Sequence, residues 1–246
     1  MYDPIRDGIE KDTQSVTYRV AKPPEGFCDL VHSYWELKTE TTLVDDFILH
    51  ALPDACVNIL FNQKDTTIAG VTALRTTYTT LNLGKSFYYA GIQFFPGVWQ
   101  GNQNGTTDSF VGTPYLDDLP LVETNIKSAT VDFLAKQPIF SALVSKLIER
   151  KIVGVNIITQ KILSNLDTVH SVADMAEITH MSTRQLQRVI KKSTGFSPHD
   201  FLKVIRLQQS FQQHYLDAYT DQSHFIRSFH KITGYTPVDY YRKYDV

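Results

Sequence analysis

A repeated stretch in the last third of the chain constrains the fold more than any other feature. Residues 185–198 read QLQRVIKKSTGFSP, and residues 224–237 read HFIRSFHKITGYTP. In both copies apolar residues recur at helical spacing, and a glycine followed by an aromatic residue ends the pattern. Each copy therefore predicts one amphipathic helix that ends at its glycine, Gly195 or Gly234, and the pair indicates an internal duplication.

A second helix is predicted immediately before the first copy. Ser171 is suited to cap one helix and Ser182 to cap the next, with residues 179–181 as a short turn between them. Helix, tight turn and helix is the helix-turn-helix layout. The outer face of its second helix carries Arg and Gln, which can make paired hydrogen bonds to base edges in the major groove. The alternative is an ordinary solvated polar face.

Charge is divided unevenly along the 246 residues. Residues 1–154 contain 13 Lys+Arg and 18 Asp+Glu, whereas residues 155–246 contain 11 Lys+Arg and 8 Asp+Glu. A basic C-terminal part favours an anionic partner such as nucleic acid, although this excess is modest for a DNA-binding protein.

Two stretches of the C-terminal part are similar to the AraC/XylS family of bacterial transcription regulators. One covers residues 181–207 and the other residues 219–237, and the second matches the family signature over nearly its whole length. The resemblance implies two helix-turn-helix units joined by a helix, with two recognition helices in adjacent major-groove segments of double-stranded DNA.

The resemblance assigns DNA contacts to particular side chains. The candidates are Thr183, Arg184, Gln187, Arg188, Lys191 and Lys192 in the first unit, and Gln222, Ser223, His224, Arg227 and Lys231 in the second. Of these, Lys191, Lys192 and Lys231 are placed to meet phosphates, which position a protein on DNA without reading its sequence. The aromatic residues Phe225, Phe229 and Tyr235 are expected to lie in the core.

The second unit is shorter than the family pattern. Only twelve residues, 207–218, separate Arg206 from Tyr219, and the supporting helix of this unit falls in that interval. Either the connecting helix runs directly into a shortened support, or the unit is degenerate, or residues are missing from the chain. A helix over about 222–232 is still expected, with an apolar face that includes Ile226. Because at most residues 214–218 support it, we expect this helix to be displaced, exchanged between subunits or more mobile than the first.

The first hundred residues predict a β-rich domain. Segments 31–37, 56–61 and 88–95 are rich in aromatic and β-branched residues, with turn sequences between them. Short strands at this spacing indicate a barrel or sandwich. The sequences around 52–61 and 90–97 resemble the cupin-like sensor domains often found before such DNA-binding domains.

We therefore predict an α+β chain in two domains. Residues 1–154 form a cupin-like β-barrel for sensing or dimerisation, with helices at about 121–152 that Pro138 divides in two. Residues 155–246 form an all-α, AraC-type DNA-binding domain in which the second helix-turn-helix unit is shortened, and Gly154 marks the link.

A ligand pocket in the predicted barrel would be lined by aromatic side chains. The candidates are Tyr34, Trp35, Phe61, Tyr78, Tyr88, Phe94 and Trp99, and the alternative is that these residues fill the barrel core. The resemblance favours arginine where Gln93 stands, so a pocket there has lost a charge. It also implies that this domain binds a small-molecule effector, forms a homodimer, or does both.

Neither a metal site nor an enzyme active site is predicted. His32 and His50 are the histidines of the N-terminal part and form no His-x-His pair, so no metal or other cofactor is expected. Cys28 and Cys56 lack zinc-type spacing, and two reduced, partly buried thiols are expected, with a disulfide as the alternative. No local signature marks Cys56 as a nucleophile.

The expected function is sequence-specific DNA binding by a transcription regulator that responds to an effector through its N-terminal domain. The sequence shows no transmembrane span and no secretory signal, which favours a cytoplasmic location. The alternative is a regulator-like protein with a degenerate DNA-binding part, which acts through protein–protein contacts made by the helices at 121–152.

Overall fold

The computed structural model describes residues 2–4, 7–11, 15–101, 114–212 and 222–245, and it confirms the predicted α+β class. The strands are β1 (Ile9–Glu10), β2 (Val16–Ala21), β3 (Val31–Thr39), β4 (Phe47–Ala51), β5 (Val57–Asn62), β6 (Ala69–Val71), β7 (Thr79–Gly84), β8 (Tyr88–Phe94) and β9 (Tyr244–Asp245). The helices are α1 (Leu121–Ala129), α2 (Phe133–Glu149), α3 (Ile157–Leu163), α4 (Val172–Thr179), α5 (Thr183–Thr194), α6 (Pro198–Gln212), α7 (Gln222–Thr233) and α8 (Pro237–Lys243). In this part of the chain no helix is both long and apolar enough to cross a bilayer.

The described strands form three antiparallel sheets that do not close into one hydrogen-bonded barrel. The largest has the order β2-β3-β8-β5-β6, a second pairs β4 with β7, and a third pairs β1 with β9. Leu37 and Tyr89 of the large sheet pack on Phe47, Leu49 and Leu83 of the β4–β7 sheet. Two sheets therefore face each other across an apolar interior, which is an open form of the predicted cupin-like barrel.

The opposite face of the large sheet is covered by helices. Strand alternation places Val57, Ile59 and Phe61 of β5 on that face, where they are buried. The Phe61 ring stacks on Phe140 of α2 with ring centroids 5.3 Å apart, and Tyr34 meets Phe140 edge-on at 5.7 Å. The main core of the N-terminal part therefore lies between the sheet and α2.

The predicted division at Pro138 is wrong, because Pro138 lies inside α2. The break between α1 and α2 comes earlier, where the Asp132 carboxylate accepts a hydrogen bond from the Ala135 N–H at 2.9 Å and caps α2. The buried Lys136 ammonium donates to the Ser128 and Val131 carbonyls across the same turn. These hydrogen bonds fix the position of the break between α1 and α2. The missing N–H of Pro138 does not cause it.

The two cysteines are not bonded to each other. Cys28 is exposed, and Cys56 is buried, so the expected free thiols are present but only one of them is buried. Burial raises the pKa of the Cys56 thiol well above its usual value, so this thiol is protonated near pH 7.

Gly91 of β8 has no room for a side chain. A Cβ at this position would press on the Ile59 carbonyl oxygen and the Trp35 ring. We expect Gly91→Ala to lower the free energy of unfolding by about 1–3 kcal/mol, measured by urea denaturation. Gly26→Ala is the control, because nothing lies within 4 Å of its Cβ position. Equal stability of the two variants would contradict this packing.

Candidate functional site

The first helix-turn-helix unit consists of α4 and α5, as the sequence predicts. The Ser171 hydroxyl accepts from the Asp174 N–H at the start of α4, and His180 at its end adopts a left-handed backbone with φ 55°. Ser182 and Gln185 form a reciprocal capping box at the start of α5, and Gly195 ends α5 with φ 73°. A side-chain capping box at the start and a left-handed glycine at the end therefore set the bounds of the candidate recognition helix.

The polar face of α5 points to solvent. Its apolar face is buried through Leu186 and Ile190, which join the core shared with α4 and α6. Lys191 also donates from its ammonium to the Gly195 carbonyl at the helix end. All six predicted DNA-contacting side chains of this unit are exposed: Thr183, Arg184, Gln187, Arg188, Lys191 and Lys192.

The second candidate recognition helix, α7, repeats this arrangement. Phe225, Phe229 and Ile232 are buried on one face, whereas Ile226, which we expected on the apolar face, is 37% exposed. The predicted DNA-contacting residues all lie on the exposed face: Gln222, Ser223, His224, Arg227 and Lys231.

Helices α6 and α8 brace α7. The Phe211 ring near the end of α6 lies 5.3 Å from the Phe229 ring, and Tyr240 of α8 meets Phe229 edge-on at 5.7 Å. Leu207 of α6 belongs to the same buried cluster. The expected short support, residues 214–218, lies outside the described residues, so the predicted displacement or exchange of this helix stays a prediction.

The β-rich part packs directly against the end of α7. The Tyr78 N–H donates to the Ile232 carbonyl at 2.8 Å, and the Tyr78 ring lies where a Cβ on Gly234 would be. His50 is stacked between Tyr78 and Tyr244, at centroid distances of 4.6 and 4.9 Å. Burial lowers the pKa of His50 to about 4, so the ring is neutral near pH 7.

A cavity of about 490 Å³ lies between the large sheet and the β4–β7 sheet. This volume is within the usual range for small-molecule sites. One end is apolar, and its wall includes Leu37, Leu49, Leu60, Leu81, Leu83 and Tyr89. The other end is polar, and its wall includes Asp3, Asp7, His32, Asp54, Arg75 and Gln93.

Two carboxyl groups occupy the polar end in unfavourable surroundings. Asp54 accepts from the Cys56 N–H at 2.9 Å and from the Gln93 amide at 2.7 Å. Asp7 accepts from the Leu52 N–H at 2.9 Å. Burial raises the pKa of Asp54 to about 7 and that of Asp7 to about 6, although these bonds and the nearby Arg75 act in the opposite direction.

The structure does not gather the predicted pocket aromatics around the cavity. Trp35 lines the cavity and donates to Asn58 at 3.2 Å. Tyr78 packs on the helical part, and the Tyr88 hydroxyl donates to Glu36 at 2.6 Å. The remaining four belong to the core between sheet and helices: Tyr34, Phe61, Phe94 and Trp99. The cavity residues Asp7, Asp54 and Arg75 were not predicted from the sequence, because no local motif marks them.

The polar end of the cavity is joined to the helical part by residues 52–56. The Gln208 side chain of α6 donates to the Pro53 carbonyl at 2.8 Å, and Leu52 lies in the cluster around α7. Cys56 lies in the other cluster, with the α4–α5 core. Residues 52–56 therefore lie between the cavity and the two clusters that support the candidate recognition helices.

Comparison with known proteins gives one domain match and several distant structural likenesses. Residues 19–106 match a family described as a domain of unknown function, DUF6597. No curated protein matches the chain. The predicted organisation, a β-rich part followed by a helical part with a helix-turn-helix, is confirmed.

Solved structures of ToxT from Vibrio cholerae are similar to this chain at low identity. The apo K231A variant from strain SCE256 has a TM-score of 0.43 and 12% identity, over 93% of this chain and 97% of that one. ToxT of strain O395 bound to (E)-4-(8-methylnaphthalen-1-yl)but-3-enoic acid has a TM-score of 0.42 and 11% identity, over 92% and 98%. Likeness at this level carries no conclusion about what this chain binds.

Proposed function

We propose that the chain is a sequence-specific DNA-binding transcription regulator of the AraC/XylS type, with residues 155–246 as its DNA-binding domain. The observation that carries this proposal is the unit α4–α5, in which a doubly capped helix exposes Arg184, Gln187 and Arg188. Arg and Gln are the residues that pair with guanine and adenine edges. The similar exposed face of α7 supplies the second reading element.

The partner-binding alternative has less support. A collapsed second helix would have favoured it, whereas α7 keeps a buried apolar face and an exposed face with Arg227 and Lys231. Residues 1–154 serve, in our proposal, as an effector-responsive and dimerising domain of a cytoplasmic regulator without enzymatic activity or a bound cofactor. Within the described residues no group of three metal-ligating side chains occurs.

Arg188 and Lys192 are expected to play different roles on DNA. We expect Arg188→Ala to weaken binding to a preferred site by about 1–3 kcal/mol and to relax base preference at one position. Lys192→Ala should weaken binding to all sequences alike, because a phosphate contact carries no base information. Fluorescence anisotropy on a preferred site and on single-base variants of that site measures both effects.

Lys146→Ala is the matched control, since Lys146 is an exposed lysine on α2, in the β-rich part. Its affinity for every site should equal that of the parent protein. Uniform loss of affinity in both test variants would show that Arg188 does not read bases.

A further inference from the structure

We infer that the cavity between the two sheets binds an amphipathic organic cation, with an ammonium or guanidinium head between Asp7 and Asp54 and an apolar body against the leucines. This inference rests on the proposed function, because it names the chemical class of the effector. Three observations carry it: the charge of the polar end, the free acceptor on Asp7, and the composition of the far wall.

Among the described residues, the charged side chains of the polar end are mostly acidic. Asp3, Asp7 and Asp54 line this end. In the described part of the wall, Arg75 is the one arginine or lysine. The amide of Gln93, a neutral group, faces Asp54 at 2.7 Å. A cationic head therefore meets a carboxylate excess, whereas an anionic head would have to approach these carboxylates.

Asp7 offers an unused acceptor at this end. Its Oδ1 accepts from the Leu52 N–H, and within the described part of the chain no hydrogen bond reaches its Oδ2. A charge-assisted bond from an ammonium to that oxygen would be short and strong in this partly buried position. One cationic head group can then donate hydrogen bonds to both Asp7 and Asp54.

The far wall suits an alkyl or aromatic body. Leu49, Leu81 and Leu83 from the β4–β7 sheet oppose Leu37 and Leu60 from the large sheet. Burying an alkyl chain there gains about 0.8 kcal/mol per methylene. The polar and apolar groups are separated end to end, so a ligand with a charged head and an apolar body fits one orientation.

Because the two carboxyl groups titrate near neutral pH, the affinity of the cavity for a cation should depend on pH. Burial raises the pKa of both, to about 6 for Asp7 and about 7 for Asp54, so both become protonated as pH falls through this range. A cation binds the ionised forms of the two carboxyl groups. Its affinity must therefore decrease as the pH is lowered, and its binding must release protons near neutrality. The titratable neighbours of the pair are Asp3, His32, Arg75, Tyr2, Cys56 and Tyr240.

Three probes with alkyl chains of similar length differ in their head groups: octylamine, octanol and octanoate. Calorimetric titration of the full chain without DNA, at about pH 8, should show octylamine binding at least about tenfold more tightly than either analogue, which corresponds to about 1.4 kcal/mol. At about pH 5.5 the octylamine affinity should fall at least about tenfold, whereas that of octanol stays constant.

Asp7→Asn and Asp54→Asn should each remove the octylamine preference, and Asp45→Asn, which changes an exposed carboxylate, should keep it. Circular dichroism shows whether the variants fold; if they do not, the pH dependence of the parent protein decides. Octanoate binding as tightly as octylamine, or octylamine affinity that does not change with pH, would overturn the inference. Because no DNA is present, these results stand apart from DNA binding, which is measured separately.

Discussion

Phe140→Ala is expected to lower the free energy of unfolding by about 3–5 kcal/mol, one of the largest stability effects in the chain. Phe140 is fully buried and contacts Phe61 and Tyr34, so it joins α2 to the large sheet. Removing the ring leaves a cavity that rigid strands cannot fill, and the loss of contacts adds to the lost transfer energy. Urea denaturation followed by circular dichroism measures the change.

Leu134→Ala on the same helix is the control, because Leu134 is 76% exposed. That substitution should change stability by no more than about 0.5 kcal/mol. A loss below about 1 kcal/mol in Phe140→Ala would mean that α2 does not pack on the sheet as described.

The helix-turn-helix was predictable because its determinants are local. Ser171, Ser182 and Gly195 act on backbone groups within four residues of themselves, so the sequence alone contains the information for both helix ends. The exposed face of α5 then follows from the helical period, since Leu186 and Ile190 must be buried.

The break in the helical region was not predictable from Pro138. It depends on the buried Lys136, whose ammonium also donates to the Gln63 side chain at 2.7 Å. Gln63 is 73 positions away along the chain. A contact between residues so far apart in the sequence outweighs the local effect of one proline. No local sequence pattern predicts such a contact.

The cavity could not be predicted from the sequence either. Strand alternation shows that Phe61 and Leu60 point to opposite faces, but the identity of each face depends on where α2 packs. The aromatic residues mostly face α2, and the leucines face the cavity. Asp7 lines the same cavity as Asp54, and β1, which follows Asp7, pairs with β9 at the other end of the chain.

DNA binding should depend steeply on salt. Six cationic side chains lie on the exposed faces of α5 and α7: Arg184, Arg188, Lys191, Lys192, Arg227 and Lys231. Each cation at the phosphate backbone displaces counterions and contributes about −0.9 to the slope of log affinity against log salt. If all six engage, affinity falls about 10³-fold between about 50 and 200 mM salt. Lys192→Ala should reduce the slope by about one, and Lys146→Ala should leave it unchanged.

Affinity across a salt series, on a duplex selected by the full chain from random-sequence DNA, tests the central claim most directly. We expect selection to enrich a defined sequence with two short constrained segments, one for each recognition helix. We also expect fluorescence anisotropy to show nanomolar binding at low salt, weakening with the slope given above. No binding to any duplex at the lowest salt, or selection that enriches no sequence, would contradict the account of this chain as a sequence-specific DNA-binding protein.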